Sequence, residues 1–420
     1  MRRPSKSRTP RISPDSQRLS SLAQAMSLAS SRQEERAWER ELDALIQKLL
    51  RNDHQNTLDS ALDKLFNTDP PAYDTLMEAV EAISSSCVIE EDGKRYDGLL
   101  IAFPILAWTR FAIASGNIGG DVLITLAAQM HGHLLADEAR IAIAPTLYSI
   151  DQLPRTHAET YALTQRIGRA ALGGPVIKPI AHLPETAPFL ADTRYLLATV
   201  VAPEGGPLFR WQQAEMPFDI VALRQSTMEQ LRAQAQPTIE RLLPGCGVEL
   251  MMPEAYYVAC READRAIRPM SVHAAVHYLT HVLSVEPNGL AAIIGAFGEE
   301  GGEGRIDEYR ISFTLQGQPE VIYGIVWPLY GQEEDSDDSV TLLASAPLPT
   351  QFAELEGAPP IAQVVLALRA NGVADIVRHH ERFEMEFCED CGAPLFCDRE
   401  AELVHAEMPE DAEQMSGHLH

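Results

Sequence analysis

No uninterrupted apolar run in the 420-residue sequence approaches the roughly 18 residues needed to cross a bilayer. The N-terminus lacks an apolar core of about 7–15 residues with a cleavage site behind it, so a secretory signal is not expected. Six cysteines are too few for a disulfide framework in a chain of this length. A reduced, cytoplasmic setting follows as the expectation. The one glycine-rich bend, Gly116–Gly120, has neither the spacing of a dinucleotide fingerprint nor the Lys-Ser/Thr of a phosphate loop. The acidic run Glu333–Asp338 has the composition of a calcium loop but lacks its glycine and closing glutamate. No complete catalytic motif is present, so no catalytic residue and no organic cofactor can be named.

Basic side chains are also scarce. Lys and Arg number 34 against 60 Asp and Glu, for a net charge of −26. The balance is uneven along the chain. Residues 1–32 hold seven basic side chains and one acid, Asp15, leaving 27 bases against 59 acids in the remainder. So acidic a body is a poor match for phosphate, which requires Lys and Arg. Residues 1–32, rich in Ser, Arg and Pro, read as a disordered basic tail. Nucleic acid is expected to bind only weakly, through that tail. A protein partner and self-association both stay open.

What is present is a mixture of periodicities. Over residues 33–85 apolar side chains recur at three and four residues, as at Leu42, Leu45, Ile46 and Leu49, and again at Leu58, Leu62 and Leu65. Pro70-Pro71 interrupts this pattern. Beyond it, strands are expected at Cys87–Glu91, Leu99–Trp108, Ala139–Tyr148, Tyr195–Pro203, Leu208–Gln212, Val248–Met252, Ala255–Ala259, Leu290–Gly298, Tyr309–Gln316 and Val321–Pro328. Val373–Val377 and an alternation at Phe383, Met385 and Phe387 extend the set. Helices are expected at Asp121–Leu135, Thr156–Leu172, Val221–Leu243 (bent or split at Pro237), Ser271–Ser284 and Ile361–Ala370. Strands and helices interspersed in this way indicate an α+β fold. Faint similarity between the stretches starting at Tyr195 and at Gly289 suggests related β-β-α-β modules. The expected organisation is a helical region at 33–85, modules at 86–180, 181–286 and 287–386, and an acidic segment at 387–420.

That last segment carries the most specific pattern. Cys388 and Cys391 are separated by two residues and followed by Gly392, which can take a positive φ and close the turn that aims two thiolates at one cation. Thiolates with imidazole select zinc, in a closed tetrahedral site when the role is structural. A second Cys pair is missing; Cys397 and His405 stand in the positions nearest to supplying further ligands, in the spacing C-x2-C-x5-C-x7-H. A redox-active pair, or two idle thiols, are the competing readings.

Two further patterns carry weaker chemistry. His273, His277 and His281 fall at i, i+4 and i+8 of a helix, a spacing compatible with metal binding or a pH-sensitive patch, and equally with the wet side of an amphipathic helix. Cys260 precedes Arg261, whose charge could lower a thiol's pKa and make it a nucleophile. A salt-bridged helix start around a buried cysteine is the simpler reading.

Cys388–Phe396, Glu402–Pro409 and Cys260–Arg265 together resemble a betaproteobacterial family of unknown function. The resemblance implies a bacterial cytoplasmic protein and lends no activity, substrate or site. Two functions remain in view. One is a non-catalytic regulator or adaptor with a zinc knuckle as staple or docking surface. The other is a metal-dependent hydrolase with an open zinc position.

Overall fold

Four helices open the chain: α1 (Pro14–Ser27), α2 (Arg32–Arg51), α3 (Gln55–Thr68) and α4 (Pro70–Ser84). In this computed structural model residues 13–180, 186, 189–215, 218–298, 305–330, 333 and 358–409 are described. Leu19, Leu42, Ile46, Leu49, Leu58, Leu65, Leu76 and Val80 form the shared core, all fully inaccessible. Side chains cap three of the helices, Ser13 accepting from Ser16 N, Ser31 from Glu34 N and Asp69 from Ala72 N. Pro70-Pro71 occupies the first turn of α4, where the missing N–H is harmless, so it starts a helix as well as ending the previous one.

Helix α1 corrects the expectation of a disordered tail through residue 32. Leu19, Leu22 and Ala23 lie on one face, and that face is buried in the bundle. Ser20 donates to the Ser16 carbonyl at 3.1 Å, so its hydroxyl is satisfied inside the helix. Residues 1–12 lie outside the described residues.

The chain then builds a seven-stranded sheet from β1 (Ser86–Glu91), β2 (Lys94–Trp108), β3 (Gly116–Asn117), β4 (Arg140–Tyr148), β5 (Ala191–Pro203), β6 (Gly247–Leu250) and β7 (Glu254–Ala255). All its pairings are antiparallel. The β1–β2 turn has positive φ at both Asp92 and Gly93, as the type I′ two-residue hairpin turn requires. β5 lies between β2 and β4. Segments 86–180 and 181–286 thus contribute to one sheet.

Helices cover both faces of this sheet, which is why Leu99–Ala107 reads as an unbroken apolar run. Phe103 and Ile105 face α5 (Gly120–His133) and α7 (Ile220–Leu242), while Leu100 and Ala102 face α6 (His157–Ala171) and α8 (Tyr256–Leu283). The short strand expected at Leu208–Gln212 is replaced by a 3-10 turn at Arg210–Gln213. The Gln212 side chain accepts from the N–H groups of Leu208 and Phe209 and closes that turn.

Helix α8 replaces a strand expected at Ala255–Ala259 and a helix expected only at Ser271–Ser284. It is one helix of 28 residues with Pro269 inside, and α7 likewise continues through Pro237. Pro269 is itself buried, so its ring adds packing that offsets the lost backbone bond. The first half of α8 packs on the seven-stranded sheet through Ala259 and Ala263. Its second half packs through Val272, Val276 and Leu279 on another core.

That second core lies on a four-stranded sheet of β8 (Leu290–Gly298), β9 (Glu308–Leu315), β10 (Tyr323–Pro328) and β11 (Asp375–Glu384), ordered β10-β9-β8-β11. β8, β9 and β10 are antiparallel neighbours, and β11 joins β8 in parallel after α9 (Pro360–Ala370). Residues expected as two separate strands, Val373–Val377 and the alternation from Phe383, fall partly into the single strand β11. Ile294, Ile311, Phe313 and Trp327 face α8 and α9. The opposite face carries Ile293, Phe297 and Phe383, and the chain's C-terminal hairpin lies on it through Cys397. The fold is mixed α+β, with nine α-helices among the described residues, none long and apolar enough to cross a membrane.

Candidate metal centre

Past β11 the backbone turns back on itself twice. In the first hairpin Phe387 and Pro394 pair as an isolated antiparallel bridge. Cys388 N donates to Ala393 O at 2.8 Å, Leu395 N to Glu386 O at 3.0 Å, and Gly392 N to Cys388 O at 2.8 Å. Gly392 has φ +73°, a conformation that turns the chain sharply directly after Cys391 and that a Cβ would strain. Both cysteines therefore project from one tight turn.

The second hairpin pairs β12 (Phe396–Cys397) with β13 (Leu403–Val404). Its turn is held by Asp398, whose carboxylate accepts from Glu400 N and Glu402 N at 2.9 Å each. Phe396 opposes Val404, so the next residue, His405, returns to the level of Leu395 and the cysteine turn. The Phe396 ring seats the hairpin on Gly324 of β10, where a Cβ would come within 2.2 Å of the ring.

The result is a cluster. One donor atom from each of Cys388, Cys391 and His405 lies within 4.8 Å of the others, and Cys391 Sγ is 3.2 Å from His405 Nε2. Among the described residues this is the one group of three or more His, Cys, Asp or Glu donors placed to share an ion. His405 Nδ1 points toward Glu407, 3.7 Å away, which leaves Nε2 facing the thiols. Backbone N–H groups of Cys391 and then Asp390, with the Cys391 thiol, hold the Cys388 thiol below its ordinary pKa. Such donors stabilise a thiolate, the form that binds metal. Two sulfurs and an imidazole suit a borderline-soft cation such as zinc.

Cys397, expected beside them, is placed elsewhere. It is fully buried among Ile293, Phe297 and Phe383, and burial pushes its thiol up to about 11. The alternation of a strand turns Cys397 into the sheet face, away from the hairpin turn.

The α8 histidines do not converge. His273 Nδ1 meets Asn371 Oδ1 at 2.7 Å and its ring packs edge-on to Trp108. His281 hydrogen-bonds Arg110, and His277 is exposed. Cys260 also lacks the chemistry its neighbour suggested. Desolvation, then Asp264, pushes its thiol up to about 12. The Arg261 guanidinium is engaged by both Glu81 oxygens at 2.6 and 2.7 Å. In the acidic run, Glu333 pairs with the buried Arg268 at 2.8 Å; residues 334–338 lie outside the described residues.

One feature of the sheet beneath the site is not evident in the sequence. Arg310, Ser312 and Thr314 alternate along β9 with Tyr309, Ile311 and Phe313, which reads as a wet face opposite a dry one. All six are inaccessible. Arg310 and Ser312 lie under the C-terminal hairpins, Ser312 Oγ donating to Cys397 O at 2.5 Å. An arginine inside the alternating stretch Tyr309–Leu315 was the available signal.

No curated protein and no solved structure matches the chain. A family model described as a protein of unknown function, DUF2863, matches residues 4–419, and the chain belongs to that family.

Proposed function

We propose that this is a non-catalytic binding or regulatory protein whose C-terminal hairpin holds one structural zinc ion through Cys388, Cys391 and His405. The observation that carries the reading is the convergence of two thiols and an imidazole, from two separate turns of the chain, to within 4.8 Å. A small lobe with little core of its own is where a structural zinc adds most to folding. The site caps a sheet at the surface, with Cys391 exposed. Two clefts border the first sheet. One of about 410 Å3 lies between Tyr148, Arg155 and Leu163, and one of about 740 Å3 between Lys94, His131 and Arg140. Thiolate ligation also suits a reducing compartment, the cytoplasm, and the exposed hairpin suits a protein partner.

A metal-dependent hydrolase is the second reading, and one observation favours it. Three protein donors leave one tetrahedral position for water or substrate, the count typical of catalytic zinc.

Elemental analysis of protein purified without tag or added metal tests the first reading, beside the Cys388→Ser/Cys391→Ser variant. About one zinc per chain, lost in the variant with the fold kept, supports it. Wild-type protein without metal and with both thiols titrating freely overturns it. Cobalt substitution separates the two readings: a visible spectrum that shifts on adding a small anion favours the open, hydrolytic site.

A further inference from the structure

We propose that Arg310 is the positioning residue that sets the metal affinity of the hairpin and couples metal occupancy to the packing of the four-stranded sheet. The inference rests on the zinc reading above and adds a regulation of that site.

Arg310 stands on β9 directly beneath the first hairpin, with a fully inaccessible side chain. Its Nη1 donates to two backbone carbonyls, Glu386 O at 2.7 Å and Leu395 O at 2.6 Å. These carbonyls belong to the two opposite strands of the cysteine hairpin. They lie at its base, where Leu395 N also donates to Glu386 O. Nε donates to Glu308 at 2.6 Å. The guanidinium carbon lies 4.3 Å from the centre of the Phe297 ring and 5.2 Å from that of Phe387. Nη2 has no hydrogen-bond partner among the described residues. One carboxylate and two ring faces thus balance the buried charge.

The placement matters because the rest of the hairpin has little to hold it. Phe387 is 56% exposed and Cys391 is exposed. A short isolated hairpin is marginal in water. With both strands tied to one buried guanidinium, the turn that carries Cys388 and Cys391 is formed before metal arrives. The ordering that binding would otherwise impose is already done, and affinity rises accordingly. The coupling runs both ways, since a metal that binds the formed hairpin also stabilises the seat beneath it. Lysine keeps the charge but lacks the planar fork that serves carbonyls and carboxylate together.

Zinc affinity is to be measured by competition with a chromophoric chelator for the full-length wild type, Arg310→Lys, Arg310→Met and Ser312→Ala. The cobalt charge-transfer spectrum reports thiolate geometry, and denaturation of chelator-treated protein reports apo stability. Both arginine variants are expected to bind zinc about 10- to 100-fold more weakly, with a broadened cobalt band. Ser312→Ala removes a neighbouring bond to Cys397 O and is expected to leave affinity unchanged. Arginine variants that fold and bind zinc with wild-type affinity and spectrum overturn the proposal, as does an equal loss in Ser312→Ala. If the arginine variants do not fold, Glu308→Gln takes their place. It loosens the fork's anchor and is expected to weaken zinc binding severalfold; unchanged affinity there overturns the proposal. Wild-type protein that binds no metal removes the zinc reading itself, an outcome distinct from any change among variants.

Discussion

Helix α8 carries Cys260, Asp264, His273, His277 and His281 along its 28 residues, while the C-terminal hairpins carry Cys388, Cys391 and His405. The residue types overlap, and the outcomes differ. On the helix each group lies a turn or more from the next, and each is drawn to whatever packs beside it. His273 goes to Asn371, His281 to Arg110, and Cys260 and Asp264 into the first core. The hairpins reverse direction twice, and the second reversal returns an imidazole to the thiols. A straight element spaces its donors at 1.5 Å per residue and spends them singly. A folded-back element superimposes them.

The largest expected effect is at the thiols. Cys391→Ser is expected to abolish stoichiometric zinc binding, seen in elemental analysis after gel filtration, because one of three donors is lost and the remainder cannot hold the ion. Replacing all three α8 histidines should leave zinc content unchanged; zinc lost from that variant would move the metal centre to the helix.

Cys397→Ser separates ligand from core thiol. It places a hydroxyl among Ile293, Phe297 and Phe383 and should lower unfolding free energy by about 1–3 kcal/mol in denaturant titration, with zinc content retained. Lost zinc with unchanged stability would restore Cys397 to the ligand set.

Asp264 tests the helix side by pH. Desolvation, opposed by Tyr195 and Arg268, pushes its carboxyl up to about 6 from an ordinary 3.8. A raised folded-state pKa means the stabilising, protonated form is fully populated below about pH 4 and is lost as pH rises through about 6. Asp264→Asn should therefore raise stability at pH 7 by about 1–2 kcal/mol, after allowance for partial exposure, and the gain should vanish toward pH 4. A gain that persists at pH 4 would contradict burial as the cause. The smallest expected effect is at His277→Ala, whose exposed ring should change stability by no more than about 0.5 kcal/mol.

Much of this was legible in the sequence, and the failures have particular causes. Strand β8 is bounded at Leu290 and Gly298 as its composition suggests, and the β9–β10 hairpin lies close to its expected place. Helix α1 was obscured because Ser and Arg surround its few apolar residues. Its marker was the Ser13-Pro14 start, a cap followed by a first-turn proline. Helix α8 was divided because Pro269 and a charged stretch resemble a boundary, and tertiary packing on two cores overrides both. At the metal centre the cysteine turn was readable from the two-residue spacing of Cys388 and Cys391 with Gly392 directly after them. The burial of Cys397 was not, since it depends on which face of β12 meets a sheet assembled some hundred residues earlier.

The length of strand β2 carries a consequence for synthesis. It pairs with β5 from Tyr96↔Pro203 to Trp108↔Ala191, so the partner of its apolar run is made about a hundred residues later. At roughly 5–20 residues per second that interval is on the order of 5–20 s. During it the nascent chain displays Leu100–Ala107 without either neighbour, because the local hairpin with β1 reaches only to Leu99 and β6 and β7 are made later still. Slowed elongation between β2 and β5 would lengthen that interval and favour aggregation on the ribosome, whereas the hairpins that carry Cys388 and His405 are made after their sheet and meet it already complete.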